Sequence, residues 1–257
     1  MPNNTSELVK FRKKTFESHC LNLLATLLED WAKNTLINKT APDYHNNDNT
    51  PLIIFIEDRI ECLSLLRFSI LNSLIMCRLK MPVIVYTTKS KISAFESSLE
   101  DLNSWVEVLP INDESIENMN IDNYNKLLKN SIFWNQITSE SILIMQIDAL
   151  LIEPIEFSFF EYDYVGAPWQ VNKCISKMFY TYSEDLSKEI STHWETIKFT
   201  DLLPENVPFG NGGLSIRNTK KMASICDLET SEEKENEDVF FSRCLRMHNA
   251  NLPTINE

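Results

Sequence analysis

The chain has 257 residues, of which 43% are apolar, enough for one large α/β domain or two small ones. Its formal net charge of −13 argues against a nucleic-acid partner, which normally needs a basic face, and against docking on anionic lipid. A phosphorylated ligand would be repelled unless local Arg or Lys, a helix N-terminus or a divalent cation offsets this charge.

The cysteines and the start of the chain bear on its compartment. The six cysteines form no C-x-x-C pair, and several lie inside apolar runs, as buried thiols do. Residues 1–10 are polar and lack the apolar stretch of a signal peptide, and the longest apolar runs are too short for a transmembrane helix. These features predict a reducing, cytoplasmic location without a membrane span.

Residues 1–50 are expected to form an N-terminal helix and a polar linker, ahead of a main domain over 51–257. From Leu8 to Trp31 the apolar residues recur at helical spacing, which predicts an amphipathic helix that packs on the main body. Residues 38–50 are rich in Asn and Asp and contain Pro42, a composition typical of an exposed linker.

Four short apolar runs in the main domain predict strands, with helical patterns between them. The predicted strands are Leu52–Ile56, Val83–Tyr86, Trp105–Leu109 and Ile142–Ile147, and the predicted helices are Cys62–Leu79, Ile92–Leu102 and Tyr124–Trp134. This β-α-β-α-β-α-β order indicates a mostly parallel sheet, in which ligands bind beyond the carboxyl ends of the strands. Glu57, Arg59, Thr88 and Asp148 follow such ends.

The pattern changes after Asp148. Residues 164–169 resemble a strand that leads into a turn, and residues 172–203 are expected to be partly helical with loops. Asn211–Arg217 is interpreted as a glycine turn entering a strand, and Thr219–Cys226 and Asp238–Met247 as helices around an acidic loop.

All four glycines fall in two short segments, at Gly166 and at Gly210, Gly212 and Gly213. Glycine suits positive φ angles and close backbone approach, so these segments are places where backbone shape matters. One interpretation is a pair of hairpin turns. The other is a functional loop, which the nearby carboxylates at strand ends favour.

Several side chains allow both a structural and a chemical role. Asp148 could hold a divalent cation at the end of a buried strand, or could cap a turn. Glu237 and Asp238 could supply a general base, or could simply favour the dipole of a first helical turn. Trp169 could stack on a sugar or lie in the core. His248 is interpreted as a partner of a helix C-terminus.

Other chemistries lack their motifs. The chain has no G-x-G-x-x-G after the first strand and no G-x-x-x-x-G-K, which argues against a dinucleotide fold and a phosphate-binding loop. Residues 213–217 lack the second glycine of a nucleophile elbow. The loop after the first strand has no glycine, unlike that of sugar nucleotidyltransferases.

Five segments in a fixed order resemble a known family. They are Phe133-Trp134, Ile144–Leu151, Tyr162–Trp169, Gly210–Arg217 and Glu237–Ser242. Together with the opening strand and its Glu57-Asp58-Arg59, they resemble a family long labelled a domain of unknown function and grouped with the GT-A glycosyltransferases. The resemblance covers about Leu52 to Ser242 and implies the GT-A, or nucleotide-diphospho-sugar transferase, fold with a Rossmann-like sheet flanked by helices.

The resemblance also implies roles for individual residues. The segment Gln146-Ile147-Asp148 matches the Asp-x-Asp of GT-A enzymes, so Asp148 would hold Mn²⁺ or Mg²⁺ and Gln146 would lie near the ribose. Glu57 and Arg59 would lie near the base and phosphates of the donor. Asn211, Gly212 and Gly213 would let sugar and acceptor approach the backbone, with Trp169 as a stacking platform. Glu237 or Asp238 would deprotonate the acceptor, as the acidic motif of inverting enzymes such as the β-1,3-galactosyltransferases does.

Two departures from the family pattern matter. Gln146 stands where the first carboxylate is usual, which puts strong metal dependence in doubt. Related chains usually continue to a Gly-x-His segment, whereas this one ends at Glu257 with only His248 nearby. Either that segment is missing or the site is degenerate.

Three functions follow as hypotheses. The first is transfer of a sugar from a nucleotide-diphosphate sugar to a glycan or other hydroxyl acceptor, assisted by a divalent metal. The second is a non-catalytic module that binds a nucleotide sugar or glycan, and the third is a structural partner domain that binds no nucleotide.

Overall fold

A computed structural model describes residues 4–19, 25–36, 39–43, 49–167, 210–231 and 235–253. The strands are β1 Leu52–Ile56, β2 Val83–Thr87, β3 Val106–Pro110, β4 Ser141–Met145, β5 Tyr164–Ala167 and β6 Asn211–Asn218. The helices are α1 Asn4–His19, α2 Ala25–Thr35, α3 Leu63–Met76, α4 Ile92–Ser98, α5 Ile121–Leu128, α6 Ser131–Asn135, α7 Thr219–Leu228 and α8 Glu237–Met247.

The six strands form one sheet in the order β3-β2-β1-β4-β6-β5. Strands β1 to β4 are parallel, with Ile54 of β1 beside Ile84 of β2 on one side and Ile144 of β4 on the other. Strand β6 is antiparallel to both β4 and β5. The predicted α/β class with a mostly parallel sheet flanked by helices is therefore confirmed.

The chain order reverses at the centre of the sheet. From β1 it moves outward through β2 and β3, and it then returns to add β4 on the opposite side of β1. A crevice opens at such a reversal, between the carboxyl ends of the two central strands, because their connections leave in opposite directions. Glu57 follows β1 and Gln146 follows β4, so this crevice is where the sequence predicts the donor site.

Each central strand is buried on both faces, which explains its continuous apolar sequence. Alternate residues point to opposite sides, so Ile53 and Phe55 enter one core while Leu52 and Ile54 enter the other. The first core is covered by α2, α3 and α4, and the second by α5 to α8. Phe133 and Trp134 lie in the second core, as predicted.

The boundaries of several elements differ from the sequence-based expectation. The predicted helix Tyr124–Trp134 is two helices, because the Asn130 side chain accepts a hydrogen bond from the Ile132 N–H and begins α6 anew. The predicted helix Ile92–Leu102 is α4 followed by a 3₁₀ turn at Glu100–Leu102. The predicted N-terminal helix is described as α1 and α2, with residues 20–24 outside the described part of the chain.

The glycine segment was predicted as a turn entering a strand, and this is wrong in detail. Asn211, Gly212 and Gly213 are already part of β6, and no described glycine has a positive φ. The four glycines are needed for close approach instead. A Cβ on Gly210, for example, would lie 2.6 Å from the Gly166 Cα. Residues 168–209, with the predicted platform Trp169, lie outside the described residues.

Helix α2 packs directly on the main domain. Its Ala32 is buried, with Leu36 just beyond its end, in the core beneath α3. Arg67 of α3 donates to Glu29 of α2 and also to Asp101, which joins three segments of the chain. Among the helices in the described part of the chain, none is both long and apolar enough to span a bilayer.

Candidate functional site

The predicted site residues fall into two neighbouring groups. The first, here called the β1–β4 edge, comprises Glu57, Arg59 and Asp148. The second, here called the glycine–acid cluster, comprises Gln146, Asn211, Gly212, Gly213, Glu237 and Asp238. Gln146 and Asp148 are two residues apart at the end of β4, which connects the groups.

At the β1–β4 edge, Glu57 shapes the loop that follows β1. Its buried carboxylate accepts hydrogen bonds from the backbone N–H groups of Asp58 and Arg59, at 3.0 and 2.9 Å. The Arg59 guanidinium adds two more, at 2.8 and 2.6 Å. Glu57 is therefore occupied within its own loop, and it holds Arg59 in place while half of that side chain remains exposed.

Arg59 lies within electrostatic range of Asp148. Its hydrogen bonds to Glu57 raise the pKa of the guanidinium above its ordinary value, and the charge of Asp148 adds a smaller contribution. The Asp148 carboxylate is partly exposed and forms an ion pair with Lys13 of α1, with 3.1 Å between Nζ and Oδ2. Asp148 thus has one cation as a direct partner and a second nearby.

The described residues at this edge lack the ligand set that a divalent cation requires. Mn²⁺ or Mg²⁺ takes several oxygen ligands in near-octahedral geometry, usually with more than one carboxylate or a nearby His. Within residues 4–167, 210–231 and 235–253, apart from the undescribed gaps, no three His, Cys, Asp or Glu residues are placed to share an ion. Asp148 is paired with Lys13 and Glu57 with Arg59, so the described residues do not fit a metal site.

In the glycine–acid cluster, two glycines allow strand β6 to pass close to its neighbours. A Cβ on Gly213 would lie 2.7 Å from the Gln146 Oε1. A Cβ on Gly212 would overlap the Glu237 carboxylate and lie 2.8 Å from the Arg217 Nη2. The absence of side chains at these positions is what brings Gln146 and the start of α8 together across β6.

Glu237 is held by a buried ion pair. Arg217 of β6, fully buried, donates to the two carboxylate oxygens at 2.6 and 3.0 Å. The rings of Tyr164, Trp134 and Phe241 surround its guanidinium, with centroids 5.1 to 5.8 Å away. Burial by itself would lower the pKa of Arg217, but Glu237 and the nearby phenols raise it, so the guanidinium remains charged.

Asp238 is less constrained than Glu237 and is partly open to solvent. Its carboxyl accepts a hydrogen bond from the Val239 N–H at 2.9 Å, and the Gly212 N–H lies near it. Burial raises the pKa of Asp238 to about 7, and the negative charge of Glu237 adds to the shift. A carboxylate with this pKa can accept and release a proton near neutral pH.

Helix α5 completes the glycine–acid cluster. The Asn125 side chain accepts a hydrogen bond from the Glu237 N–H at 2.9 Å and thereby caps the start of α8. The buried Tyr124 hydroxyl lies near Gln146 but does not form a regular hydrogen bond with it. It has no hydrogen-bond partner among the described residues. Burial raises the pKa of Tyr124 above its ordinary value, so it is a neutral hydrogen-bond donor within the site.

Sequence reasoning missed Lys13, Tyr124 and Arg217. Arg217 ends the quoted segment Gly210–Arg217, so its position was known but its role was not. Lys13 is one of four basic residues within residues 10–14 of an acidic chain, and this cluster could have indicated a role for the segment. Nothing in the sequence distinguishes Tyr124 from a core tyrosine. His248 contacts Glu229 at 2.7 Å, away from both groups.

A family described as "Protein of unknown function (DUF5672)" matches residues 106–257, more than half of the chain. The chain belongs to this family. The DUF5672 match includes Gln146, Asp148, Gly212, Glu237 and Asp238, whereas the loop after β1 and all of α1 precede it. No curated protein sequence matches the chain.

Two solved structures are similar over most of the chain. One is the mannosyltransferase PcManGT from Pyrobaculum calidifontis in complex with GDP-Man and Mn²⁺, with 14% identity and a TM-score of 0.44. The other is the mannosyltransferase Ktr4p from S. cerevisiae, with 11% identity and a TM-score of 0.47. The match to PcManGT covers 94% of this chain and 65% of PcManGT. The match to Ktr4p covers 87% of this chain and 72% of Ktr4p.

Proposed function

We propose that this protein is a glycosyltransferase of the GT-A type that moves a sugar from a nucleotide-diphosphate sugar to a hydroxyl acceptor. The observation that carries the proposal is the position of Asp238 together with the raised pKa of its carboxyl. It is a partly exposed carboxyl with a pKa of about 7, at the start of a helix and beside a glycine strand. The order of the family motifs along the sequence supports the same function.

Asp238, rather than Glu237, is the proposed base. Both oxygens of Glu237 are taken by Arg217, and the pair is buried, so Glu237 is not free to receive a proton from an acceptor. The negative charge of Glu237 contributes to the raised pKa of Asp238. Glu237 is therefore proposed as a positioning residue, and Asp238 as the base of the two acids that the sequence left open.

The proposed reaction uses this geometry in one displacement. Asp238 takes the proton of the acceptor hydroxyl, whose oxygen forms a bond to the anomeric carbon of the donor. The bond from that carbon to the diphosphate breaks, and the diphosphate leaves with the electron pair. Gly212 and Gly213 let the start of α8 and Gln146 pack against β6. Arg59 places a positive charge at the β1–β4 edge, where the diphosphate would lie.

Mn²⁺ or Mg²⁺ remains a prediction of the family resemblance. The chemistry that such an ion supplies, when bound, is stabilisation of the charge on the leaving diphosphate. Asp148 is the residue predicted to hold it, but among the described residues no group of three His, Cys, Asp or Glu side chains is placed to share an ion. The proposed steps therefore depend only on side chains of the chain itself.

The test is release of nucleoside diphosphate from a panel of nucleotide sugars, with simple glycosides as acceptors, in Mn²⁺ and in EDTA. Asp238→Asn should reduce the rate of release by about 10²–10⁴-fold, the usual contribution of a general base. Asp227→Asn, which removes an exposed carboxylate from α7, is the matched control and should retain the wild-type rate. Equal rates in Asp238→Asn and the control would refute the proposal.

A second candidate is a non-catalytic module that binds a nucleotide sugar. The observations that favour it are Gln146 in place of a carboxylate and Asp148 already paired with Lys13. Isothermal titration distinguishes this candidate from the enzyme: saturable binding of a nucleotide sugar without release of nucleoside diphosphate, even with acceptor present, supports the module.

A further inference from the structure

Helix α1 carries a concentrated positive charge in an otherwise acidic chain. Lys10, Arg12, Lys13 and Lys14 fall within five residues, whereas the whole chain has a net charge of −13. All four side chains are exposed. Lys10 and Lys14 are four residues apart, and Lys13 is three residues after Lys10, so these three cations lie on adjoining parts of the helix surface.

Lys13 joins this basic segment to the candidate site. Lys13 donates to Asp148 at 3.1 Å, and Asp148 is the residue that the sequence predicts at the donor diphosphate. The side chains from Lys10 to Phe16 are all exposed, so packing against the main domain does not explain why this part of the helix is basic. The contact places an ammonium group where a cation is needed.

A nucleotide-diphosphate sugar presents two adjacent phosphates to this edge. A strongly acidic protein must offset that charge locally, with a divalent cation or with Lys and Arg side chains. The described residues do not form a set of metal ligands, as shown above. They do supply Arg59 from the loop after β1 and Lys13 from α1. Arg59 and Lys13, each paired with a carboxylate in the free protein, are therefore the cations available to a diphosphate at the β1–β4 edge.

We infer that Lys13, held at the site by Asp148, binds the diphosphate of the donor together with Arg59 and replaces the divalent cation there. Asp148 is then a positioning residue for Lys13 rather than a metal ligand. This inference rests on the proposed function, because it concerns how the same donor is bound. It assigns to α1, which precedes the family match, a direct part in the site.

The experiment is isothermal titration of the full chain with UDP and with GDP, each in EDTA and in Mn²⁺. Lys13→Ala should weaken the affinity in EDTA by about tenfold, the size expected for one charge-assisted hydrogen bond. Lys13→Arg keeps the charge and should retain most of the affinity. Lys33→Ala, which removes an exposed lysine from α2, is the matched control and should bind as the wild type does.

The outcomes separate this inference from the proposed function. Binding by the wild type in EDTA that is about tenfold weaker in Lys13→Ala and is largely kept in Lys13→Arg supports it. Binding that requires Mn²⁺, or a Lys13→Ala affinity equal to that of Lys33→Ala, overturns the inference alone. Tighter binding by Lys13→Ala would mean that Lys13 blocks the site, which also overturns it. Absence of binding by the wild type in both buffers overturns the inference and the proposed function together.

Discussion

The buried pair of Arg217 and Glu237 shows how a few residues organise the site. The two side chains are almost inaccessible to water, and their charges are satisfied by each other. Arg217 also donates to the Ser215 hydroxyl at 2.9 Å, so one guanidinium connects β6 with the start of α8. Loss of either partner would leave an uncompensated charge in the second core.

Arg217→Met should therefore destabilise the protein by about 3–5 kcal/mol, because Glu237 would remain buried without its partner. Urea denaturation of the single variants and of Arg217→Met/Glu237→Met forms a double-mutant cycle, in which the double variant should recover part of the loss. Lys220→Met, from an exposed ion pair with Glu140, is the control and should cost less than about 1 kcal/mol. Equal losses in Arg217→Met and Lys220→Met would contradict this expectation.

The raised pKa of Asp238 predicts a dependence of stability on pH. In the folded protein this pKa is about 7, against an ordinary value of 3.8, so the folded state binds the proton more tightly than the unfolded state. The stabilising contribution of the protonated carboxyl is present below about pH 4 and is lost as the pH rises towards 7. Asn at this position does not titrate.

Asp238→Asn should accordingly gain thermal stability relative to the wild type as the pH rises from 5 to 8. The measurement is the difference in Tm between the two proteins at each pH. Asp227→Asn provides the comparison, since its carboxylate is exposed. A Tm difference for Asp238→Asn that stays constant between pH 5 and 8 would show that this carboxyl has an ordinary pKa.

At the scale of elements, β6 is the strand that brings the catalytic candidates together. It lies between β4 and β5, and its first residues pass between Gln146 and the start of α8. Gly212 faces groups fixed by a buried ion pair, whereas Gly213 faces the end of the exposed Gln146 side chain. The two glycines therefore differ in how much an added methyl group would cost.

Gly212→Ala should destabilise the protein by about 1–3 kcal/mol, because the new Cβ would displace Glu237 or Arg217. Gly213→Ala should cost less, since the Gln146 amide can rotate away. Urea denaturation of both variants measures the difference. If Gly213→Ala were the more destabilising, the assignment of Glu237 and Arg217 as the rigid neighbours would be wrong.

At the scale of the whole molecule, two cores share one central sheet. Helix α2 belongs to the first core through Ala32 and through Leu36 just beyond it, although it lies within residues 1–50, the segment that the sequence separates from the main domain. The division at residue 50 stays a prediction about chain organisation. The packing of α2 on α3 nevertheless gives a definite expectation for unfolding.

Helix α2 should unfold together with the sheet. Trp31 lies on α2 and packs against the first core, so the fluorescence difference between the wild type and Trp31→Phe reports on this helix. The urea transition of this fluorescence difference should coincide with the loss of helical circular dichroism. Arg67→Ala, which removes the bonds to Glu29 and Asp101, should move the Trp31 transition to lower urea. A separate early Trp31 transition in the wild type would contradict shared folding.

Much of the fold could be predicted because the local patterns are strong. The four parallel strands and the helices between them follow from apolar runs of strand length alternating with helical spacing, and β1 lies where it was predicted. Errors occurred at boundaries, such as the new helix start that Asn130 caps. They also occurred in the glycine segment, where the sequence shows which residue lacks a side chain but not which neighbour needs the space.

The sequence by itself determined the α/β class, the order of strands and helices, and the positions at strand ends from which site residues emerge. Tertiary structure decided which of these residues meet and which are buried. Arg217 takes up Glu237, which leaves Asp238 as the candidate base, and α1 brings Lys13 to Asp148 across 135 residues of sequence. Charges in proteins act through distance and burial, and both are fixed only when segments far apart in the chain have packed together.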